Sequence, residues 1–264
     1  FNAKVSLADR DQRFIYEPLL AAHPDNDLVN IKCNFLGKSL DAPLWVSSMT
    51  GGTSQAAKIN YRLANMCAKH KIGMGLGSIR PLLTDNNRFQ DFNLRPILGD
   101  NIPFYANLGI AQLDQLLKAK TLNKLTDLLY NLNVDGLIIH INPLQEFLQP
   151  EGDRFLRPAI DTIEDYLSNS FGKTIVKEVG QGMGPKSLES LMNLSIDGIE
   201  LAGLGGTNFS KLELMRGPEI VKEVMQGFVF VGHSAEEMIR HINYIRQAAS
   251  LDSTQKGIEV IISG

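Results

Sequence analysis

Cysteine is scarce in this 264-residue chain: only Cys33 and Cys67 occur, and they form no C-x-x-C. Two such residues supply neither a disulfide framework nor a zinc site, the pattern expected of a protein in a reducing cytoplasm. Long apolar runs are lacking too. No stretch approaches the roughly 18 uninterrupted apolar residues of a membrane helix, and the opening FNAKVSLADRDQRF has no apolar core of a signal peptide, so a soluble protein without a membrane partner is expected. Neither sign of charge dominates: 26 Lys and Arg against 29 Asp and Glu give a net charge of -3, which argues against nucleic acid as a partner. Walker A, G-x-S-x-G and H-E-x-x-H sequences are absent, so P-loop, hydrolase-elbow and zincin chemistries have no support.

What is present is a chain 44% hydrophobic and 21% charged, of a length that suits an α/β barrel kept as one domain. Short apolar runs lie at 44–48 (LWVSS), 72–77 (IGMGLG), 103–108 (PFYANL), 134–141 (VDGLIIHI), 174–179 (TIVKEV), 197–201 (DGIEL) and 258–262 (IEVII). They alternate with segments of helical period, the pattern of repeated βα units on a parallel sheet. Residues 121–133 place Leu122, Leu125, Leu128, Leu129 and Leu132 on one helical stripe, and 235–249 do the same with Met238, Ile242 and Ile245. Ser234, followed three residues on by Glu237, reads as a capping box for the second of these. From 201 to 258 there is about twice the length that one βα unit needs. Within it, Met215-Arg216-Gly217-Pro218 marks either a turn or a place where residues are missing. The expected architecture is an α/β fold, a (β/α)8 TIM barrel forming a single domain over 1–264. The last βα unit reads as missing, because GIEVIISG at 257–264 stops where a βα turn should begin, and Phe1 is not a start methionine.

In such a barrel, function collects at the C-terminal ends of the strands. There the sequence runs Ser47-Ser48-Met49-Thr50-Gly51-Gly52, Gly75-Leu76-Gly77-Ser78-Ile79-Arg80, Ala106-Asn107-Leu108-Gly109, His140-Ile141-Asn142 on to Gln145-Glu146, Lys177-Glu178-Val179-Gly180 and Ala202-Gly203-Leu204-Gly205-Gly206-Thr207. Glycines at these ends let a flat ring or a phosphate approach the backbone and free amide N–H groups for anions, so a planar cofactor with a phosphate tail is the natural guest. Any one such end is equally explained by the needs of a turn and a helix cap. Lys177 sits inside an apolar run where alternation points it into the barrel. There it must find an anionic partner or lose its proton, either by holding negative charge on a ring or by pairing with an inward carboxylate. Glu146, beside Gln145, is either a magnesium ligand or a solvated loop acid.

Taken in order, SSMTGG, GLGSIR, ANLG, HINPLQE, QPEGD, KEVGQG and GLGGTNF resemble the type 2 isopentenyl diphosphate isomerases, FMN-dependent (β/α)8 barrels of isoprenoid biosynthesis. The likeness runs from DQRFIYEPLL to the final IISG. The resemblance implies FMN contacts from Ser48, Met49, Thr50, Ser78, Asn107, Lys177 and Thr207, with a flavin-phosphate loop beginning at Gly264. It implies that Gln145 contacts the substrate, that His140, Asn142 and Arg80 line the substrate side, Arg80 through the diphosphate, and that Glu146 ligates Mg2+. Lys177, His140 and Gln145 are the catalytic candidates. Isopentenyl and dimethylallyl diphosphate would be the substrates, NADPH would serve only to reduce the flavin, and a homo-oligomer of barrels is implied. The chain departs from the family at Ala202, where a serine is usual, and in lacking the family's basic N-terminal segment and eighth strand. The competing reading keeps the barrel and FMN but makes the protein an oxidoreductase of a small hydroxy acid, which would need a base after the seventh strand.

Overall fold

The computed structural model describes residues 3–11, 15–20, 22–23, 30–249 and 257–264. The chain divides into two units, Phe1–Ile31 and Lys32–Gly264. In the first, Ser6 caps a single 3-10 turn, Leu7–Asp9, by accepting from the Ala8 amide.

The second unit begins with an antiparallel hairpin, β1 (Cys33–Phe35) and β2 (Lys38–Leu40). Seven parallel strands follow: β3 (Trp45–Val46), β4 (Gly73–Ser78), β5 (Phe104–Gly109), β6 (Gly136–His140), β7 (Lys173–Lys177), β8 (Gly198–Glu200) and β9 (Glu259–Ile261). They pair in chain order, each with the next, and form a nearly closed TIM barrel. All seven fall within or against the expected apolar runs, though β3 keeps only two of the five residues of its run. Across the open seam, β3 and β9 face one another over a cavity of about 370 Å³ lined by Trp45, Ser47, Ile261 and Ser263 among others. The hairpin is an addition to the expected scheme. Its turn residues Leu36 (φ 51) and Gly37 (φ 85) are both left-handed, the two-residue turn whose twist matches the flanking strands, but leucine is not a residue that announces such a turn.

Both faces of a barrel strand are buried, which is why these strands read as unbroken apolar runs. Tyr105, Ile138, Ile175 and Ile261 pack inside the barrel with Leu36 of the hairpin turn, while Leu108, Leu137, Ile139, Val176 and Ile199 pack with the surrounding helices. The hairpin thus closes the end where the strands begin. Lys173, the first residue of β7, donates to Leu36 O at 2.7 Å. Asp135, one residue before β6, accepts from Lys38 Nζ at 2.6 Å and the Phe104 amide at 2.8 Å, and pairs with Arg95 Nη2 at 3.1 Å.

The two amphipathic stripes are helices, Leu122–Asn131 and Ala235–Ala249. The capping box forms: Ser234 N donates to Glu237 Oε2 at 2.8 Å and Glu237 N to Ser234 Oγ at 3.2 Å. Ser234→Ala is expected to destabilise the fold by about 1 kcal/mol, read as a lowered thermal midpoint; an unchanged midpoint would mean that solvent replaces the cap. The break at 215–218 is a turn. The helix Phe209–Arg216 ends where Gly217 N donates to the carbonyls of Glu213 (3.0 Å) and Leu214 (3.1 Å), and Pro218 starts Glu219–Met225. This extra helical segment accounts for the long interval before β9, and it is tied to the barrel by Gln181 Nε2 to Phe228 O (3.1 Å) and Asn208 Nδ2 to Val229 O (3.0 Å). Among the described residues no helix is long and apolar enough to cross a membrane.

Candidate functional site

The register of the sheet places Gly109, His140, Lys177, Glu200 and Ile261 side by side across β5 to β9. In-register side chains of parallel strands share a face, and Ile138 and Ile175, two residues earlier on β6 and β7, point inside. His140, Lys177 and Glu200 therefore form one layer at the top of the barrel interior. Lys177 is 4% exposed and Glu200 is fully buried. Lys177 Nζ donates to Glu178 O, a carbonyl and not a carboxylate, at 3.0 Å. Ser47 Oγ and, at 3.3 Å, Ser263 Oγ donate to Glu200 Oε1; Glu200 Oε2 is buried without a partner. Ser263 is oriented for this because its oxygen already accepts from Ala202 N at 3.1 Å. Burial pushes the Lys177 ammonium down, opposed by Glu200 and then Glu178. Burial also pushes the Glu200 carboxyl up to about 7, opposed by Lys177.

His140 Nδ1 lies 2.6 Å from Asn107 Oδ1, an acceptor, so Nδ1 carries the hydrogen and Nε2 offers its lone pair. Burial and then the Lys177 charge hold this imidazole down at about 3, neutral at physiological pH. The ring needs Gly109 beside it: a Cβ there would lie 2.9 Å from His140 Nε2 and 2.4 Å from Gln112 Oε1.

Over this layer opens a cavity of about 200 Å³ that gathers Met49, Lys177, Thr207 and Gly264 with Ser47 and Glu200. Ser48 is buried beside Gly75, and its hydroxyl has no partner. Thr50 and Ser78 are committed elsewhere: the Thr50 hydroxyl donates to Asn60 Oδ1, and Ser78 Oγ accepts from Arg80 N at 3.3 Å. After β7, Glu178 accepts from the amides of Gly180 (2.7 Å), Gln181 (2.6 Å) and Gly182 (2.9 Å), fixing the glycine loop that forms one wall of the cavity.

The second group lies on the short helix Pro143–Leu148 and what packs against it. Glu146 is on that helix and 8% exposed, so it is not a solvated loop acid. Its Oε1 accepts from Asn142 Nδ2 at 2.8 Å and its Oε2 from Asp153 N at 2.7 Å. Asn142 Nδ2 also reaches Gln145 Oε1 at 3.2 Å, while Asn142 Oδ1 is buried without a partner. Gln145 Nε2 donates to Glu213 Oε1 at 3.5 Å, and Glu213 Oε2 takes Arg216 Nη1 at 2.7 Å. Arg80, 59% exposed, pairs with Asp153 at 3.4 Å. Among the described residues no three His, Cys, Asp or Glu converge as a metal cluster.

Sequence reasoning missed Glu200 and Ser263 around Lys177, and Glu213 beside Gln145; Ser47 it placed at the first strand end without a role. For Glu200 a signal existed. It sits in the run DGIEL, where the alternation that turned Lys177 inward also turns an acid inward.

No family model matches the chain. Curated relatives do. The isopentenyl-diphosphate delta-isomerase of Rickettsia africae (strain ESF-5) is 39% identical over 242 residues, covering 90% of this chain and 66% of the relative. That of Rickettsia akari (strain Hartford) is 44% identical over 193 residues, 72% of this chain and 54% of the relative. That of Rickettsia typhi (strain ATCC VR-144 / Wilmington) is 35% identical over 254 residues, 94% of this chain and 72% of the relative. The chain thus spans just under two thirds of the length of the first of these. Among solved structures, an old yellow enzyme homologue from Zymomonas mobilis aligns at 11% identity and a TM-score of 0.44, over 65% of this chain and 72% of that one. On the identity and coverage of its curated relatives, the chain belongs to the isopentenyl-diphosphate delta-isomerase family.

Proposed function

We propose that the protein interconverts isopentenyl and dimethylallyl diphosphate as an FMN-dependent isomerase of the type 2 class. The observation that carries this is the top interior layer, a buried Lys177 between a neutral His140 and Glu200, in a chain of the isopentenyl-diphosphate delta-isomerase family. The residues fit a flavin. Ser48 Oγ and Glu200 Oε2 are buried without partners and Lys177 has N–H groups to spare, which is what a planar ring with hydrogen-bonding edges would satisfy. A reduced flavin supplies a ring nitrogen that exchanges a proton and an electron-rich face that stabilises a cation. Ser48, Met49, Asn107, Lys177, Thr207 and Gly264 would hold it, with Thr50 and Ser78 shaping the backbone around it and Lys177 balancing negative charge on one edge.

On the substrate side, His140, Asn142 and Gln145 would orient the hydrocarbon and exclude water. The His140 Nε2 lone pair and the Gln145 amide are groups able to hold a proton donor in place. Arg80 would bind the diphosphate, leaving an exposed pair with Asp153 that is worth little. With no cluster of three ligands among the described residues, magnesium would rest on Glu146 and arrive with the diphosphate, a hard cation needing one or two carboxylates besides phosphate oxygens. NADPH would act only as the reductant. The test is anaerobic incubation of the flavin-loaded protein with reduced FMN, magnesium and isopentenyl diphosphate in D2O. Deuterated dimethylallyl diphosphate is expected. Its absence, or stoichiometric consumption of NADPH with product, would overturn the reading.

A further inference from the structure

Lys177 is a buried cation whose surroundings leave its charge unbalanced at close range. Among the described residues its one hydrogen bond is to a carbonyl, Glu178 O. The Glu178 carboxylate faces away into three amides of its own loop, from Gly180 to Gly182. His140, on the β6 side, is neutral. On the β8 side stands Glu200, in register with Lys177, fully buried, with one oxygen fixed by Ser47 and Ser263 and the other without a partner. A carboxylate is rarely tolerated in such a place unless a charge faces it. Two serine hydroxyls reach Glu200 from just beyond the ends of the first and last strands of the sheet, which is a built support for an anion rather than an accident of packing.

We propose that Glu200 is a positioning residue for Lys177: held by Ser47 and Ser263, it supplies the counter-charge that keeps Lys177 an ammonium with its free N–H groups in the mouth cavity. An ammonium so held binds and orients an anionic ligand; a neutral amine does not. That the ligand is the flavin ring rests on the proposed function, whereas the coupling of Glu200 to Lys177 does not. Four titratable groups meet here, Lys177 and Glu178 on the β7 side, His140 on β6 and Glu200 on β8. Of these, Glu200 is the anion that no backbone amide already neutralises.

The coupling is measured without flavin or substrate, by following the Lys177 side chain through a pH titration by NMR, its signal assigned by loss in Lys177→Met. In Glu200→Gln, which keeps the shape and the serine contacts, the midpoint of Lys177 is expected to fall by about one pH unit or more, a tenfold change in the ammonium-to-amine ratio. Glu200→Asp is expected to restore part of it. An unmoved midpoint in Glu200→Gln would overturn the proposal. Should that variant fail to fold, the reciprocal experiment decides: coupling requires the Glu200 carboxyl to titrate higher in Lys177→Met, and an unmoved carboxyl overturns it. A positive titration with no deuterated product would sink the isomerase reading and leave this one standing; the reverse pair of results would do the opposite.

Discussion

Lys177→Met is expected to slow formation of deuterated product by about a hundred- to ten-thousand-fold, the range for removing a preorganised charge or proton-positioning group from a dry site. Methionine matches the length and volume of the lysine stem, so the loss reports the missing ammonium and not a cavity. The same variant carries a signature in stability. The Glu200 carboxyl is held up at about 7 in the folded protein against an ordinary 4.5, so the folded state binds that proton more tightly than the unfolded chain does. The stabilisation is complete below about 4.5 and is lost as pH rises through 7. Without Lys177 only the Ser263 hydrogen bond opposes the upward push of burial, so the loss continues to higher pH, at about 1.4 kcal/mol per pH unit. Between pH 5 and 8 the melting temperature of Lys177→Met should therefore fall more steeply than that of the wild type. Parallel curves would show that the lysine charge does not act on Glu200. His140 has the opposite sign. Its folded value of about 3 lies below the ordinary 6.5, so its contribution is complete above 6.5 and is lost as pH falls toward 3. Loss of stability in that acid window comes from the imidazole and from carboxylates held below their ordinary range, such as Asp114, and not from the lysine pair.

The barrel is legible because its strands are buried on both faces, and seven apolar runs between amphipathic segments fit little besides a parallel sheet wrapped in helices. Lys177 stands out as an interruption of one run. Glu200 interrupts another in the same way, but it lies two residues before Ala202, where the sixth strand end is read to begin, and so it escapes. The Leu36-Gly37 hairpin is hidden for a different reason: its turn takes a left-handed leucine that local propensity disfavours, and packing inside the barrel offsets the cost. Glu213 is beyond local reading altogether. It meets Gln145 across 68 residues, from a helix whose own pattern gives no sign that one acid is buried. Arg80 is legible from its motif, but its pairing with Asp153, which is supported by Gln112 Nε2 at 2.6 Å, is a matter of tertiary structure.

Asp135→Ala is expected to cost about 3–5 kcal/mol of stability, the largest effect of any single change at the closed end of the barrel. The carboxylate joins three elements: Lys38 of β2, Arg95 of the short helix Arg95–Leu98, and the amide of Phe104 that begins β5. Arg95 is 7% exposed at its side chain and cannot turn to solvent, because its other N–H groups donate to Asn133 O (2.7 Å), Gly99 O (2.9 Å) and Ile102 O (2.9 Å) and its guanidinium lies 5.2 Å from the Phe104 ring. Truncating Asp135 therefore leaves a buried cation without its anion and a strand amide without its acceptor. Asp135→Asn keeps an oxygen for Phe104 N and removes only the charge, so it should cost less, about 2–3 kcal/mol. Urea unfolding measures both, with unchanged m-values and midpoints in the order wild type, Asn, Ala. Equal midpoints for Asn and Ala would assign the whole cost to charge. A midpoint for Ala at the wild-type value would mean that water replaces the carboxylate and that the hairpin closes the barrel by its apolar contacts alone.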